Sequence, residues 1–284
     1  MLINTLLYAA LLPLVASAAI AFVMRRMRSP LQIVWPVAIT GGFLAAQFAL
    51  RGQSGFSESL HTFLQPHEAI DWLPHIVLLA LGVTIVIYLA PTQRPRLIAL
   101  AAALCFAVPV RLLSGNLAQH WSILGKAAVL VSLAAALGIV WLLLAVNDEG
   151  QPAIVRVPLL ILVAVGTAIV MAQSGVLIYG LSSAALGAAI TGTALVFAFR
   201  GSASSSGAAA TAGIITFTLG NLIILGHFYS ELSTTSAALL LFSLVATAVP
   251  LPALLRSGPT WQRNTARTAC CLFPLAIAVV GVVS

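Results

Sequence analysis

Acid is scarce in this chain. Of 284 residues only six are Asp or Glu, and charged residues of both signs make up 7%. A soluble domain carries about 25% charged residues to keep its surface wet. Hydrophobic residues instead reach 61%, and the mean hydropathy is +1.10. A soluble fold could not hide that much apolar surface, but a bilayer can. Cysteine is also rare. Cys105, Cys270 and Cys271 lie inside apolar runs and form no CxxC or Cys/His ligand spacing. They read as small core residues, not as a metal or redox site. No nucleophile elbow, phosphate loop, haem-attachment CxxCH or paired catalytic carboxylates occur, so an enzyme is not expected.

Ten apolar runs fill the chain. They are continuous, whereas strands of a membrane barrel alternate apolar and polar residues over about 10 positions. Helices are therefore expected, because a helix satisfies its own backbone in hydrocarbon. The expected spans are Leu2–Met24, Leu31–Leu50, Leu73–Ala90, Leu97–Leu113, Ile123–Val146, Ile154–Ala172, Val176–Phe199, Ala208–Gly226, Thr235–Leu255 and Thr268–Val283. The longest polar gap is Arg51 to Trp72. Pro91 to Arg96 makes a stiff basic turn, and Gly201 to Gly207 reads as a flexible linker. Ala16-Ser17-Ala18 resembles a signal-peptidase site, but the positive charge follows the apolar run at Arg25 and Arg26 instead of preceding it. An uncleaved first helix is the expectation.

The net charge of +7 and pI near 10.2 do not point to nucleic acid, since no basic cluster is interleaved with aromatics. The charges follow topology instead. Alternate gaps hold Arg25, Arg26, Arg28, Arg94, Arg96, Arg156, Arg200, Arg256, Arg263 and Arg267, ten of the thirteen basic residues. The other side holds Arg51, Arg111 and Lys126. With cytoplasmic loops enriched in Lys and Arg, both termini fall outside the cytoplasm. Trp72 and Trp121 then lie near the outer interface and Trp261 in an inner loop. Short loops and the absence of glycosylation sequons fit a bacterial inner membrane.

Ala107-Val-Pro-Val-Arg-Leu-Leu-Ser-Gly115 matches Ala248-Val-Pro-Leu-Pro-Ala-Leu-Leu-Arg-Ser-Gly258 with a two-residue gap. The two copies lie five helices apart, so they cross in opposite directions. An inverted repeat of five plus five helices, with halves 1–150 and 151–284, predicts that relation. Chance in a Leu- and Ala-rich chain is the other reading. The expected fold is an all-α polytopic membrane bundle of about ten helices in one domain, 1–284. Helix number, length and inversion resemble the drug/metabolite transporter architecture. That resemblance is one of topology, carried by no family motif, and the outside N-terminus departs from the family's inside arrangement.

The candidate sites are few. All five histidines map to the outer side. His67, Asp71 and His75 stand four apart, as do His227 and Glu231, and an unbroken helix would align each set on one face. Imidazole and carboxylate suit zinc or a similar divalent ion at the outer face. Pro74 argues against helix continuing unbroken to His75, and the bland reading is a wet loop. Arg111 is the one charge expected at depth within an apolar run, where it either snorkels or serves a site. Gln173 and Asn221 are polar candidates within the bilayer, beside Gln47, Thr167, Ser182, Ser183, Thr191, Thr216 and Thr218. Pro109 and Pro250 would kink helices four and nine. No Asp or Glu lies well inside a helix, which weakens a proton-driven pump.

Three functions follow as expectations. A secondary transporter for a small, neutral or amphipathic solute would use Arg111, Asn221, Gln173, Pro109 and Pro250. A structural or accessory subunit would bind a membrane-protein partner or lipid through its outer loops. An outer-face metal-binding protein would use His67, Asp71, His75, His227 and Glu231.

Overall fold

The computed structural model describes residues 5, 7–51, 56–89, 101, 104, 107–113, 122–146, 153–198, 210–247 and 260–283. Among them there is no strand, and nearly every residue is helical. Among the described residues, eight helices are long and apolar enough to cross a membrane. The chain is therefore a multi-pass helical membrane protein. The helices are α1 (Leu7–Arg26), α2 (Leu31–Arg51), α3 (Phe56–Leu64), α4 (Ala69–Leu89), α5 (Ile123–Val146), α6 (Ala153–Gln173), α7 (Leu177–Ala198), α8 (Ala212–Tyr229), α9 (Thr234–Ala246) and α10 (Thr260–Val283). Residues 107–113 form a further helical stretch. α3 and α9 are the two too short to be candidate spans. Pro250, the Ala248–Gly258 copy of the repeat, the Pro91 turn, the Gly/Ser linker, His120 and Trp121 lie outside the described residues.

Two helices form the middle of the bundle. α7 packs against α1, α2, α6 and α8. α8 packs against α4, α5, α7 and α9, and every residue from Thr211 to Gly226 is buried. α1, α5 and α10 turn broad apolar faces outward, as at Val15, Val131 and Phe273. Lipid is the natural neighbour of those faces.

Small residues set the spacing, because lipid-embedded helices gain by letting backbones approach. At the crossing of α1, α2 and α7, a Cβ on Gly42 would stand 2.6 Å from the Pro13 carbonyl and 2.7 Å from Ser17. A Cβ on Gly192 would fall on the Leu14 carbonyl and the Ser17 hydroxyl. On the other side of α7, a Cβ on Gly180 would meet the Ala168 carbonyl at 2.7 Å. Buried hydrogen bonds reinforce these contacts. Gln47 Nε2 of α2 donates to Ser182 Oγ of α7 at 3.0 Å, and Ser183 Oγ donates to the Ala164 carbonyl of α6 at 2.8 Å.

Three features differ from the sequence expectation. The gap after α2 is not only loop, because Phe56, Leu60, Phe63 and Leu64 recur at helical spacing and form α3. α10 begins at Thr260, eight residues before its expected start, so Arg263 and Arg267 lie on helix. Arg156, expected in an inner gap, is 2% exposed and donates through Nη2 to the Leu144 carbonyl near the end of α5. A guanidinium there meets the negative end of that helix dipole.

Gly192→Ala is expected to destabilise the bundle by about 1–3 kcal/mol, since backbone must move to admit the methyl group. Gly82 and Gly138 face open space. Alanine at either is expected to be neutral or stabilising by up to about 1 kcal/mol, from helix propensity. Thermal or denaturant unfolding in detergent checks both.

Candidate functional site

Two polar sites rise above the apolar background. The first caps one end of the bundle. Arg51, the last residue of α2, places Nη1 2.8 Å from Asp71 Oδ1 and donates through Nη2 to the Ile70 carbonyl at 2.8 Å. Asp71 Oδ2 accepts from the backbone N–H groups of His67 and Glu68, at 3.1 and 2.9 Å. These bonds, with Glu68 reciprocating in a capping box, close the short 3-10 turn that opens α4. The side chains of the pair are only 14% and 10% exposed. At that burial a carboxylate–guanidinium pair fixes geometry strongly, because removing one partner strands the other charge.

An aromatic stack grows from the same turn. Phe48 of α2 stands 5.3 Å from Phe63 of α3, and Phe63 lies 4.5 Å from the His75 ring, nearly parallel to it. His75 lies 5.6 Å from Trp72, and the Arg111 guanidinium carbon sits 4.4 Å over the Trp72 ring. Tyr229 Oη donates to the Leu112 carbonyl at 2.7 Å and so ties the end of α8 to residues 107–113. Gln47, Phe48, Arg51, Ser59, Phe63 and Pro74 line a pocket of about 10 Å³ under α3. That is room for roughly one water.

The second site is inside α8, which changes winding between Thr216 and Gly220 to a single π-helical turn. The wider turn breaks the ladder of backbone bonds. Asn221 N–H donates to the Thr218 carbonyl, three residues back. The Phe217 carbonyl, four residues back, instead accepts from Asn221 Nδ2 at 2.6 Å. Asn221 thus replaces with its side chain a bond that its backbone gives up. Its Oδ1 then has no partner among the described residues, and neither does Thr216 Oγ1 or Thr218 Oγ1. All three residues are 0% exposed.

Thr40 and Thr167 also keep a buried hydroxyl without a partner among the described residues, but five other helical hydroxyls behave differently. Thr84, Ser132, Thr191, Thr193 and Ser243 each donate to the carbonyl four residues back, at 2.7–3.0 Å. That is the usual resting place of a hydroxyl in a helix. π turns inside α-helices concentrate at functional sites.

The sequence candidates are scattered over these places. Asn221 is at the π turn. Arg111 and buried Pro109 belong to the cap, where Arg111 is exposed and lies on an aromatic face. Leu112 meets Tyr229, eight residues or about 12 Å along α8 from Asn221. Gln173 is exposed at the end of α6.

The expected metal ligands do not converge either. Among the described residues no group of three or more His, Cys, Asp or Glu could hold a metal ion. His67 is exposed ahead of the turn, Asp71 is engaged by Arg51, and His75 stands among Phe63 and Trp72. Pro74 lies in the first turn after the 3-10 segment, so the three positions do not share one helix face. His227 Nδ1 lies 2.9 Å from the Leu232 carbonyl, and Glu231 is exposed.

Sequence reading missed the Arg51–Asp71 pair and the π turn. The first had a signal, since Arg51 stands at the end of an apolar run with an acid twenty residues on. The second had only Thr-Phe-Thr-Leu-Gly, a β-branched and glycine-ended stretch without proline. No family model, curated protein or solved structure matches this chain.

Asp71→Asn is expected to cost about 1–3 kcal/mol by weakening charge-assisted hydrogen bonds, and to raise amide exchange across residues 65–75. Arg51→Ala with Asp71→Ala is expected to cost less than the two single changes summed, as coupled partners do. A double-mutant cycle on unfolding midpoints checks it.

Proposed function

We propose that this protein is a secondary transporter for a small neutral or amphipathic solute, and that α8 carries its central binding element. The observation behind this reading is the interrupted winding of a helix that is buried on all sides. Within a bilayer, irregular backbone is tolerated only where protein covers it or where it lines a cavity. Broken helices at membrane depth are a recurrent way to offer backbone and hydroxyl groups to a substrate. Thr218 lies roughly 9 Å along α8 from Ala212 and roughly 16 Å from Tyr229, at 1.5 Å per residue. It is thus well inside the span. Gly213 and Gly220 let neighbouring side chains pack directly on the interrupted segment, Leu137 of α5 at Gly220 and Thr84 of α4 at Gly213.

No ionisable residue lies between Thr211 and Gly226. An uncharged donor and acceptor set of this kind favours hydroxyls, amides and other neutral polar groups of a solute over strong anions. The cap formed by Arg51, Asp71 and the Phe48–Phe63–His75–Trp72 stack would close one entrance. We further propose ten crossings, with both termini on the outer face of a bacterial inner membrane. The clustering of Arg25, Arg26, Arg28, Arg94, Arg96, Arg200 and Arg256 at or between alternate ends of the apolar runs supports this topology.

Two measurements test the reading. Purified protein in detergent is unfolded in the presence of amino acids, sugars, polyols and quaternary amines at millimolar concentration. One class should raise the midpoint, since ligand at 100 times its Kd adds about 2.7 kcal/mol. Asn221→Ala should lose that shift, and the same solute should enter proteoliposomes. A panel without any stabilising solute overturns the proposal. For topology, alkaline phosphatase fused after Ser284 should be active, and an inactive fusion with a fluorescent cytoplasmic reporter at the same point overturns it.

A further inference from the structure

We propose that α3 is an interfacial helix, with its Leu60–Leu64 edge embedded among the acyl chains of the leaflet at the Arg51 end of the bundle. The proposal is independent of the transport reading. α3 has nine residues. At 1.5 Å per residue that is about 13 Å, too short for a hydrocarbon core of about 30 Å. Its sides divide three ways. Ser59 and Phe63, four residues apart, face the protein. Ser59 Oγ donates to the Phe48 carbonyl at 3.4 Å, and the Phe63 ring stacks on His75. Each residue turns a helix by about 100°, so Leu60 and Leu64 stand one step round from that pair. They are 41% and 67% exposed. His61, a further step round, is exposed as well. Round the helix the order is therefore protein face, apolar edge, polar edge. A helix lying in the plane of a membrane interface has that arrangement.

The surface beneath α3 shows what covers that edge. Pro74 of α4 lines the small cleft under α3 together with Phe63, and His75 stacks on Phe63. Four residues further along α4, Leu78 and Leu79 lie one turn deeper on the same faces. Both are exposed, and α4 is long and apolar enough to span. On α2, Leu44 lies one turn deeper than Phe48 and is half-buried. The lipid-facing surface thus runs up to α3, and Leu60 and Leu64 continue it. No Lys or Arg lies between Gly52 and Gln65, so apolar insertion, not attraction to anionic headgroups, holds α3 in the leaflet. The placement has a structural consequence. Ser59 and Phe63 form one wall of the cleft whose other residues include Gln47 and Arg51. A leaflet that holds α3 also holds that cleft closed.

The test reads the depth of a fluorophore on single cysteines in phosphatidylcholine nanodiscs, which leave both faces open to water. The background carries Cys105→Ala, Cys270→Ala and Cys271→Ala. The fluorophore is placed at Leu60→Cys, Leu64→Cys, His61→Cys or Val131→Cys, the last an exposed position within α5. At Leu60 and Leu64, nitroxides near the headgroup end of the acyl chain should quench more than nitroxides at its tip, because an interfacial helix sits about 5–10 Å into the boundary. Aqueous iodide should lose most of the quenching it achieves at His61. Val131 should respond to lipid nitroxides and not to iodide. Wild-type protein supplies a second readout that needs no substitution. Phosphatidylcholine with a diazirine on its acyl chain should, on illumination, leave adducts on Leu60 or Leu64 as well as on α5.

Iodide quenching at Leu60 and Leu64 equal to that at His61 overturns the proposal and makes α3 a helix in water. Protection from iodide and nitroxides alike also overturns it, placing protein, such as a second copy of this chain, on that edge. Strongest quenching by the tip nitroxides overturns the interfacial depth. In wild type, adducts on α5 with none between residues 56 and 65 overturn it as well. None of these outcomes bears on the solute screen.

Discussion

Everything in this protein follows from the need to pair backbone N–H and C=O groups where water is absent. That demand makes each apolar run a helix and makes the helices continuous. It also makes a departure from regular winding costly. In α8 the ladder is interrupted at full burial, and Asn221 repairs part of the loss by lending its side-chain amide to the Phe217 carbonyl. The interruption survives because packing on four sides holds α8 in place.

The packing itself depends on closeness. Gly42 and Gly192 leave no space for a methyl group where α1, α2 and α7 cross. Once backbones are that near, a buried hydrogen bond such as Gln47 to Ser182 adds direction to a contact that dispersion alone would leave free to slide. Charge plays a different part. It sits at the ends, where Arg51 and Asp71 tie the turn before α4 to α2. At the other end of α1, Arg25 lies over the Phe197 ring, which stacks on Trp35. Both ends thus use an aromatic face to hold a guanidinium that must not enter hydrocarbon.

Much of the bundle was legible in the sequence. α5 begins and ends where its apolar run does, α2, α6 and α7 match theirs within a residue or two, and α4 starts four residues before its run and ends one residue short of it. Length and hydropathy suffice there, because a spanning helix has few alternatives. The candidate site was legible only in its parts. Asn221, Thr216 and Thr218 stood out as polar residues in a span, but nothing in their spacing announced a π turn. The spacing behind the metal reading meets a related limit. Spacing of four places His67, Asp71 and His75 on one face only if a helix runs through them, and the capping bonds of Asp71 start a new element there instead.

By itself the sequence determined that this chain lives in a bilayer, that it crosses many times as helix, and which residues are too polar to face lipid. Composition and run length carry that information locally, residue by residue. Only the tertiary structure decided which polar groups find each other. Arg51 meets Asp71 across twenty residues, and Gln47 meets Ser182 across 135. Tertiary packing also decided that α8 sits at the centre with its winding broken. Such pairings depend on how ten helices share space, and no single helix encodes them.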